Sequence, residues 1–240
     1  MSVTLNNKSI KLYLTETESC SYLDNKQQRM IVVDPLQPID RALSTYFSQR
    51  GFRRSGNMTY RPNCMFCSQC ISVRIPVETF SASKSQKRVL RKARHLNYRV
   101  EPIENASKYF DMYYRYQSSR HKDGIMCDSS IEKYLNFIES NIAETKLLVI
   151  CDKNKPVCIS VIDLLHDGLS AVYTFFEPEY SKLSLGTFSI LSLIQLGKKH
   201  CFDYIYLGFW VKDSQKMNYK IKFQPLQGFI DNEWQPLISK

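Results

Sequence analysis

Three apolar stretches in close succession decide the fold class: Lys146-Leu-Leu-Val-Ile-Cys151, Val157-Cys-Ile-Ser-Val-Ile-Asp-Leu164 and Leu169-Ser-Ala-Val-Tyr-Thr-Phe-Phe176. Their length and their β-branched and aromatic content read as strands. Asp152-Lys-Asn-Lys-Pro156 and His166-Asp-Gly168 supply the turns, which predicts antiparallel neighbours. A long apolar helix runs from near Leu185 to Lys199, and Tyr204 to Gly208 is a further strand. Antiparallel strands, a helix and a returning strand describe an α+β core around a mixed sheet.

Upstream of that core, Tyr98 to Ile103 is a possible strand, and Ser107 to Ser119 reads as a tyrosine-rich helix. Tyr109, Met112, Tyr113 and Tyr116 recur there at helical spacing, as packing residues do. A polar loop from Arg120 to Met126, containing His121, separates it from a helix over Ser130 to Glu139. Nearer the start, Lys11–Leu14 and Met30–Val33 are short strands. Asp40 caps a helix from Arg41 to Gln49 that ends near Gly51. Phe52 to Tyr60 looks like a turn running into a strand. The chain divides on this reading into a basic N-terminal domain, residues 1–100, and a C-terminal domain, residues 101–240.

Charge supports the division. The 240 residues carry a formal net charge of +10, yet residues 1–100 hold 17 Lys and Arg against 6 Asp and Glu, a net of +11. The remainder holds 16 against 17, a net of −1. An excess confined to one part suits a polyanionic partner, although a surface kept basic for solubility would give the same sum. No leader-like apolar stretch occurs in Met1 to Ile10, and no apolar run approaches the roughly 20 residues that span a bilayer. A cytoplasmic protein with reduced thiols is therefore expected of the eight cysteines.

Cys64, Cys67 and Cys70 are spaced by two residues each, and Cys20 could fold back as a fourth thiol. Four thiolates would suit zinc or an iron–sulfur cluster; metal-free packed cysteines are an equal alternative. Beyond them Ile71 to Val77 is a strand candidate, followed by a helix with no acidic residue between Thr79 and Val100. Ser83 with Gln86 forms a capping-box pattern. Val89, Leu90, Ala93 and Leu96 share one face of the helix; Lys84, Lys87, Arg88, Arg91 and Arg94 lie opposite.

No Gly-x-Ser-x-Gly elbow, His-Glu-x-x-His or phosphate-binding Walker loop occurs, so a nucleophilic or P-loop enzyme is poorly supported. Ser184, Gly186 and Thr187 open the long helix with small groups and free amides, a place for phosphate or a developing oxyanion, or simply a capped start. Tyr206-Leu-Gly-Phe-Trp210 and the lysines Lys216, Lys220 and Lys222 interleave aromatic and basic residues. Single-stranded nucleic-acid ends call for that mixture, and scattered surface lysines would also produce it.

These stretches together resemble the aminoacyl-tRNA–protein transferases, over nearly the whole chain. The resemblance rests on Cys20-Ser-Tyr-Leu, Gly51-Phe-Arg-Arg-Ser-Gly56, Tyr60-Arg-Pro with the cysteine triplet, and Ser83-Lys-Ser-Gln-Lys-Arg88. It continues through Arg120-His-x-Asp-Gly124, Ala171-Val-Tyr-Thr-Phe175, Ser184-Leu-Gly-Thr187, Tyr206-Leu-Gly-Phe-Trp210 and Lys216-Met-x-Tyr-Lys220. Leu23 breaks the Cys-x-x-Cys of the eukaryotic arginyl enzymes, and the triplet looks like the bacterial branch. That branch moves leucine from leucyl-tRNA onto proteins beginning with Asp or Glu, creating a signal for the degradation machinery; arginine is the second choice of donor.

The resemblance implies an acetyltransferase-like (GNAT/Fem-like) mixed-sheet C-terminal domain behind a small cysteine-containing N-terminal region. Tyr173, Ser184, Gly186 and Thr187 would line the reaction centre. Arg74, Lys84, Ser85, Gln86, Arg88 and Arg120 are expected to bind the acidic substrate. Lys87, Arg91, Lys92, Arg94, Tyr206, Trp210, Lys216 and Lys220 are expected to bind tRNA. The basic helix could serve either ligand. No cofactor is required, with zinc or an iron–sulfur cluster possible at Cys20, Cys64, Cys67 and Cys70. A non-catalytic RNA-binding module and a coenzyme A-dependent acetyltransferase are the competing classes.

Overall fold

Residues 2–5, 8–120 and 130–238 are described by the structure, a computed structural model. The first part is a five-stranded antiparallel sheet. It contains β1 (Ser2–Leu5), β2 (Lys8–Leu14), β5 (Met30–Val33), β6 (Arg53–Ser55) and β7 (Met58–Pro62), in the order β1-β2-β5-β7-β6. A two-stranded ribbon, β3 (Glu18–Ser19) with β4 (Gln27–Gln28), stands apart. Helix α1 (Arg41–Gln49) starts where the Asp40 carboxylate accepts the Leu43 amide at 2.8 Å, which satisfies one of the free donors of its first turn. Its Leu43 and Phe47 cover Ile10, Leu12, Ile31, Val33 and Phe52 to make a small core. The stretch from Phe52 to Tyr60 is a hairpin, β6 to β7, turned at Gly56.

The second sheet has eight strands and takes β8 (Ile71–Pro76), β9 (Leu96–Pro102), β10 (Glu144–Asp152), β11 (Lys155–Leu164), β12 (Gly168–Phe176), β13 (Tyr204–Trp210), β14 (Gln227–Ile230) and β15 (Glu233–Pro236). Their order is β15-β14-β8-β13-β12-β11-β10-β9, antiparallel throughout except between β12 and β13. β10, β11 and β12 have the expected bounds to within a few residues. They are buried over most of their length because helices cover both faces.

Helix α5 (Leu185–Lys199) makes the crossover from β12 to its parallel partner β13 and packs with α2 (Lys84–Lys92) on one side. Helices α3 (Phe110–Arg120) and α4 (Ile131–Ile138) lie on the other. There the rings of Tyr113 and Tyr134 have centroids 4.7 Å apart, and Phe175 stands 5.5 Å from the first and 6.0 Å from the second. Tilted and edge-on pairs at these separations are favourable for aromatic quadrupoles. This is the mixed-sheet α+β core that the sequence predicts.

The tyrosine-rich helix differs from expectation. Residues Ile103–Tyr109 wind as a tighter 3-10 segment and the α-helix begins only at Phe110. Glu101 is the physical reason: its carboxylate accepts from Asn105 at 3.0 Å and from the Tyr109 hydroxyl at 2.9 Å, fastening this turn to β9. The loop expected after Arg120, with His121, lies outside the described residues.

Two adjacent arginines of β6 fasten the small sheet to the large one. Arg54 grips Asp163 of β11 through Nε and Nη2, both at 2.7 Å, and also reaches Thr145 Oγ1 and the Ile138 carbonyl. Both side chains of this pair are only 5 % exposed. Arg53 goes deeper, into the place where the large sheet opens.

Candidate active site

β12 and β13 pair only over Gly168–Ser170 and Tyr204–Tyr206. Beyond that they diverge, β12 continuing to Phe176 and β13 to Trp210, so a wedge opens between them. Backbone carbonyls lining such an opening lose their ladder partners and need others. Arg53 supplies them: Nη1 donates to the Leu207 carbonyl at 2.8 Å, and Nη2 to those of Ala171 and Val172 at 2.8 and 3.2 Å. Gly208, at φ +75°, leaves the guanidinium its room. The register of β12 against β11 also shifts here, skipping Val172. Such a bulge re-aims side chains near active sites.

The residue after the bulge is Tyr173. Its ring meets Tyr113 of α3 at 6.2 Å and Phe137 of α4 at 5.1 Å, on the α3–α4 face. Burial pushes its phenol above the ordinary range, and Gln117 hydrogen-bonds to it. Tyr116 lies within electrostatic reach of both Tyr173 and Tyr219, and Tyr219 within reach of Arg53. Lys220, next in sequence, is buried at 4 % exposure and donates from Nζ to the carbonyl of Phe209.

Thr174 points the other way. Its hydroxyl joins Ser160 and, through it, Ser189 of α5 in a buried chain of hydroxyls. The helix start above is unusual. Ser184 takes left-handed angles, φ 56° and ψ 49°, and its side chain makes no capping bond. A side chain at Gly186 would meet nothing within 4 Å. The first-turn amides have no acceptor within the helix, so the end of α5 faces open space with donors and a positive dipole. Among the described residues no hydrogen bond joins Tyr173 to Ser184, Gly186 or Thr187; the bulge and the helix end approach the wedge from opposite faces of β12.

The basic helix α2 is built as its letters suggest. Ser83 Oγ accepts the Gln86 amide at 3.3 Å, and Gln86 Oε1 accepts the Ser83 amide at 2.8 Å. That reciprocal pair completes the capping box. Lys84, Ser85, Lys87, Arg88, Arg91, Lys92 and Arg94 are exposed. None of these cations has an acidic partner among the described residues. Unpaired charge of one sign on one face gives that face a positive potential.

A family model for the N terminus of arginine-tRNA-protein transferase matches residues 18–88, and one for its C terminus matches residues 108–230. The chain is 41 % identical over 229 residues to the aspartate/glutamate leucyltransferase of Acinetobacter baylyi, covering 95 % of this chain and 84 % of that one. It is 38 % identical over 230 residues to that of Saccharophagus degradans, covering 95 % and 98 %. The chain belongs to the arginine-tRNA–protein transferase family. Within it the chain falls in the aspartate/glutamate leucyltransferase branch and is an aminoacyltransferase. Among solved structures, L-PGS from Bacillus licheniformis is similar at 14 % identity and TM-score 0.48, over 67 % of this chain and 58 % of that one.

Several of the transferase's expected ligand-binding residues have their groups engaged within the fold. Arg74 of β8 is sandwiched by the rings of Tyr204 at 3.5 Å and Trp234 at 4.3 Å, and donates to Gln227 and Tyr206. A guanidinium between two aromatic faces is held by both quadrupoles. Tyr206 donates to Asp167 at 2.8 Å; burial, then Asp167, push its phenol far above the ordinary range. Gln86 is buried, and its amide also donates to the Lys222 carbonyl at 3.0 Å, seating α2. Lys220 faces inward, as described. Trp210 is half-buried, its indole Nε1 without a hydrogen-bond partner among the described residues. Lys216 is exposed, and so is Arg120, whose guanidinium lies 5.3 Å from the ring of Phe176.

Cys20, Cys64, Cys67 and Cys70 line one small cavity of about 40 Å³, so Cys20 does fold back onto the triplet. Burial, reinforced by the other three thiols, pushes Cys70 up to about 12. Cys64 donates weakly to the Arg29 carbonyl and Cys20 accepts from the Tyr22 amide. Among the described residues no group of three or more His, Cys, Asp or Glu side chains is placed to hold a metal ion. The thiols are neighbours rather than a formed ligand set.

Arg53 stands in the Gly51–Gly56 stretch that carries the resemblance but had no expected part in the site, and Tyr116 was expected only as a packing residue. The available signal for Arg53 was the pair of adjacent arginines between Gly51 and Gly56.

Proposed function

We propose that this enzyme transfers leucine from leucyl-tRNA to the α-amine of proteins whose first residue is Asp or Glu, marking them for the degradation machinery. The observation that carries the reading is kinship over 95 % of the chain with proteins named aspartate/glutamate leucyltransferase. The chemistry is consistent with a site lacking a nucleophile motif. The acyl group arrives activated as an ester, and an α-amine with a reference pKa of about 7.7–8.0 is in good part free base at neutral pH. The protein must align the two and stabilise the tetrahedral oxyanion.

In this reading the wedge and the start of α5 hold the reacting ester. Tyr173 orients it, and the first-turn amides around Ser184, Gly186 and Thr187 face negative charge. The exposed cations of α2 take tRNA phosphates and the acceptor's carboxylate, with Lys84, Ser85, Arg88 and Arg120 nearer the acceptor and Lys87, Arg91, Lys92, Arg94 and Lys216 nearer the tRNA. The division of labour follows the basic part, residues 1–100, and the acyl-transfer part, residues 101–240, although β8 and α2 of the former complete the latter's fold. Free thiols and the absence, among the described residues, of any helix long and apolar enough to cross a membrane suit a cytoplasmic site of action. Zinc or an iron–sulfur cluster at the four thiols is the accompanying proposal, and metal analysis of anaerobically purified protein decides it.

Transfer of labelled leucine and, in parallel, labelled arginine from charged tRNA to peptides beginning with Asp, Glu, Arg or Lys tests the reading. Leucine on the Asp and Glu peptides is the expected result. Arginine on the same peptides would change the donor, and tRNA binding without transfer would favour a binding module.

A further inference from the structure

An open cleft of about 730 Å³ lies just past the end of β12. Clefts that hold ligands run from roughly 300 to 1,000 Å³. Arg115, Ser118 and Ser119 of α3 line one wall, and Lys155, Glu177 and Glu179 line the other. None of these residues has a part in the site described above.

The charge of the cleft argues against RNA. Arg115 holds Glu177 through Nε at 3.1 Å and Nη2 at 2.7 Å, and Lys155 reaches Glu179 at 2.9 Å. Asp111, within electrostatic reach of Arg115, adds a further acid. Three carboxylates against two cations leave a net of −1. The exposed face of α2 is the reverse, all cations, and lies on the other side of the sheet. A polyanion is drawn to α2 and not to this cleft.

The remaining hydrogen-bonding groups match a polypeptide. Arg115 gives Glu177 two of its five N–H groups, and Lys155 gives Glu179 one of its three. The rest suit carbonyl oxygens, while the carboxylates and the hydroxyls of Ser118 and Ser119 accept from N–H. A peptide backbone presents one donor and one acceptor at each residue. The cleft answers both.

Its position is equally specific. Side chains alternate along a strand, and Glu177 is still extended at φ −61° and ψ 121°. It therefore continues the row of Tyr173 and Phe175 on the α3–α4 face. From Tyr173 to Glu177 is four residues of extended chain, roughly 13 Å. An extended acceptor whose α-amine lies at Tyr173 brings its fourth and fifth residues to the cleft over the same distance. The end of α3 joins the two places. Arg120, expected to bind the acidic first side chain, lies against Phe176, and its neighbour Ser119 lines the cleft.

We propose that this cleft binds the acceptor polypeptide beyond its first residue, at about the fourth and fifth positions, and favours a basic side chain there over an acidic one. This rests on the reading that an acceptor α-amine is acylated at the wedge. The two substrates then approach from different faces of the large sheet, tRNA along α2 and the acceptor past the end of α3.

The test is leucine transfer to amidated Asp-initiated alanine peptides of three and six residues. In the wild type kcat/KM should be about tenfold higher for the longer peptide, the worth of one or two hydrogen bonds, and the gain should lie in KM. Ser118→Trp fills the cleft and should bring that ratio close to one. Lys at the fifth position should be preferred to Glu by about threefold, the scale of an exposed ion pair, and Glu179→Lys should invert the preference.

Equal kcat/KM for both lengths in the wild type overturns the proposal, as does an unchanged ratio in S118W. Indifference of the wild type to Lys against Glu, or a preference that E179K leaves as it was, overturns it too. Weaker binding of leucyl-tRNA by S118W, with the length ratio kept, would make the cleft an RNA surface instead. If S118W fails to fold, as thermal unfolding would report, the wild-type ratio and E179K decide. Transfer of arginine in place of leucine overturns the leucyl-transfer reading alone, and the same ratios measured with arginyl-tRNA still decide on the cleft. No transfer from either tRNA overturns both.

Discussion

The guanidinium of Arg53 occupies the space that a side chain at Gly208 would fill: a Cβ there would stand 1.2 Å from Nη1. An arginine of the small sheet and a glycine of the large one are thus two halves of one joint. The joint sits where β12 and β13 part, so the small sheet sets the shape of the opening in which acyl transfer is proposed to occur.

Gly208→Ala should lose both stability and transfer. The left-handed backbone alone costs a side chain about 1–2 kcal/mol, and the collision with Arg53 adds to it. Urea unfolding of G208A, R53A and the double variant checks the pairing. The cost of G208A should be smaller in the R53A background, since touching residues are non-additive.

Asp163→Asn should be among the most destabilising single changes. It would leave the Arg54 guanidinium buried at 5 % exposure with no opposing charge. Breaking one side of a buried pair costs about 3–5 kcal/mol. Denaturant titration reads this directly. Because the Asp163 carboxylate bonds Arg54 and Thr145 rather than the residues of the wedge, residual folded D163N should transfer normally.

Neutralising Lys87, Arg91, Lys92 or Arg94 to Gln should weaken tRNA binding without moving the unfolding midpoint, since these side chains are exposed and unpaired among the described residues. Each phosphate no longer neutralised should lower the slope of log affinity against log salt by roughly 0.7–0.9. Binding measured at several salt concentrations distinguishes this from a change of fold, and an unchanged slope for all four would move the tRNA elsewhere.

Alkylation should rank the cysteines by exposure and thiolate content. Among the described cysteines Cys201 alone is exposed, and of these it should react first. Cys70, pushed up to about 12, remains a thiol through neutral pH and should speed up only as pH climbs towards that value. Cys158, fully buried, should stay unreacted until unfolding. Mass spectrometry of iodoacetamide-treated protein over a pH series gives the order.

Local pattern made β10 to β12, α1, α5 and the capping box of α2 readable from the letters, because turn chemistry and side-chain period act within a few residues. The roles of Arg53 and Arg54 were not readable. Arg53 meets Leu207 across 154 residues of chain and Arg54 meets Asp163 across 109. Arg74 and Lys220 misled for a related reason: a cation between apolar neighbours looks like a ligand-binding surface charge until the aromatic rings or carbonyls that enclose it are placed. The exposed face of α2 was legible, since the period of its apolar residues and the capping box are local to the helix.

Everything proposed for the wedge depends on the identity of the acyl group and its acceptor. Incubating the purified enzyme with a mixture of leucyl- and arginyl-tRNA and an Asp-initiated protein, then reading the new N-terminal residue by mass spectrometry, tests it most directly. A single added leucine ahead of Asp, and none on the same protein beginning with Lys, is the predicted result. Addition of arginine in place of leucine, or leucine on both proteins alike, would contradict it.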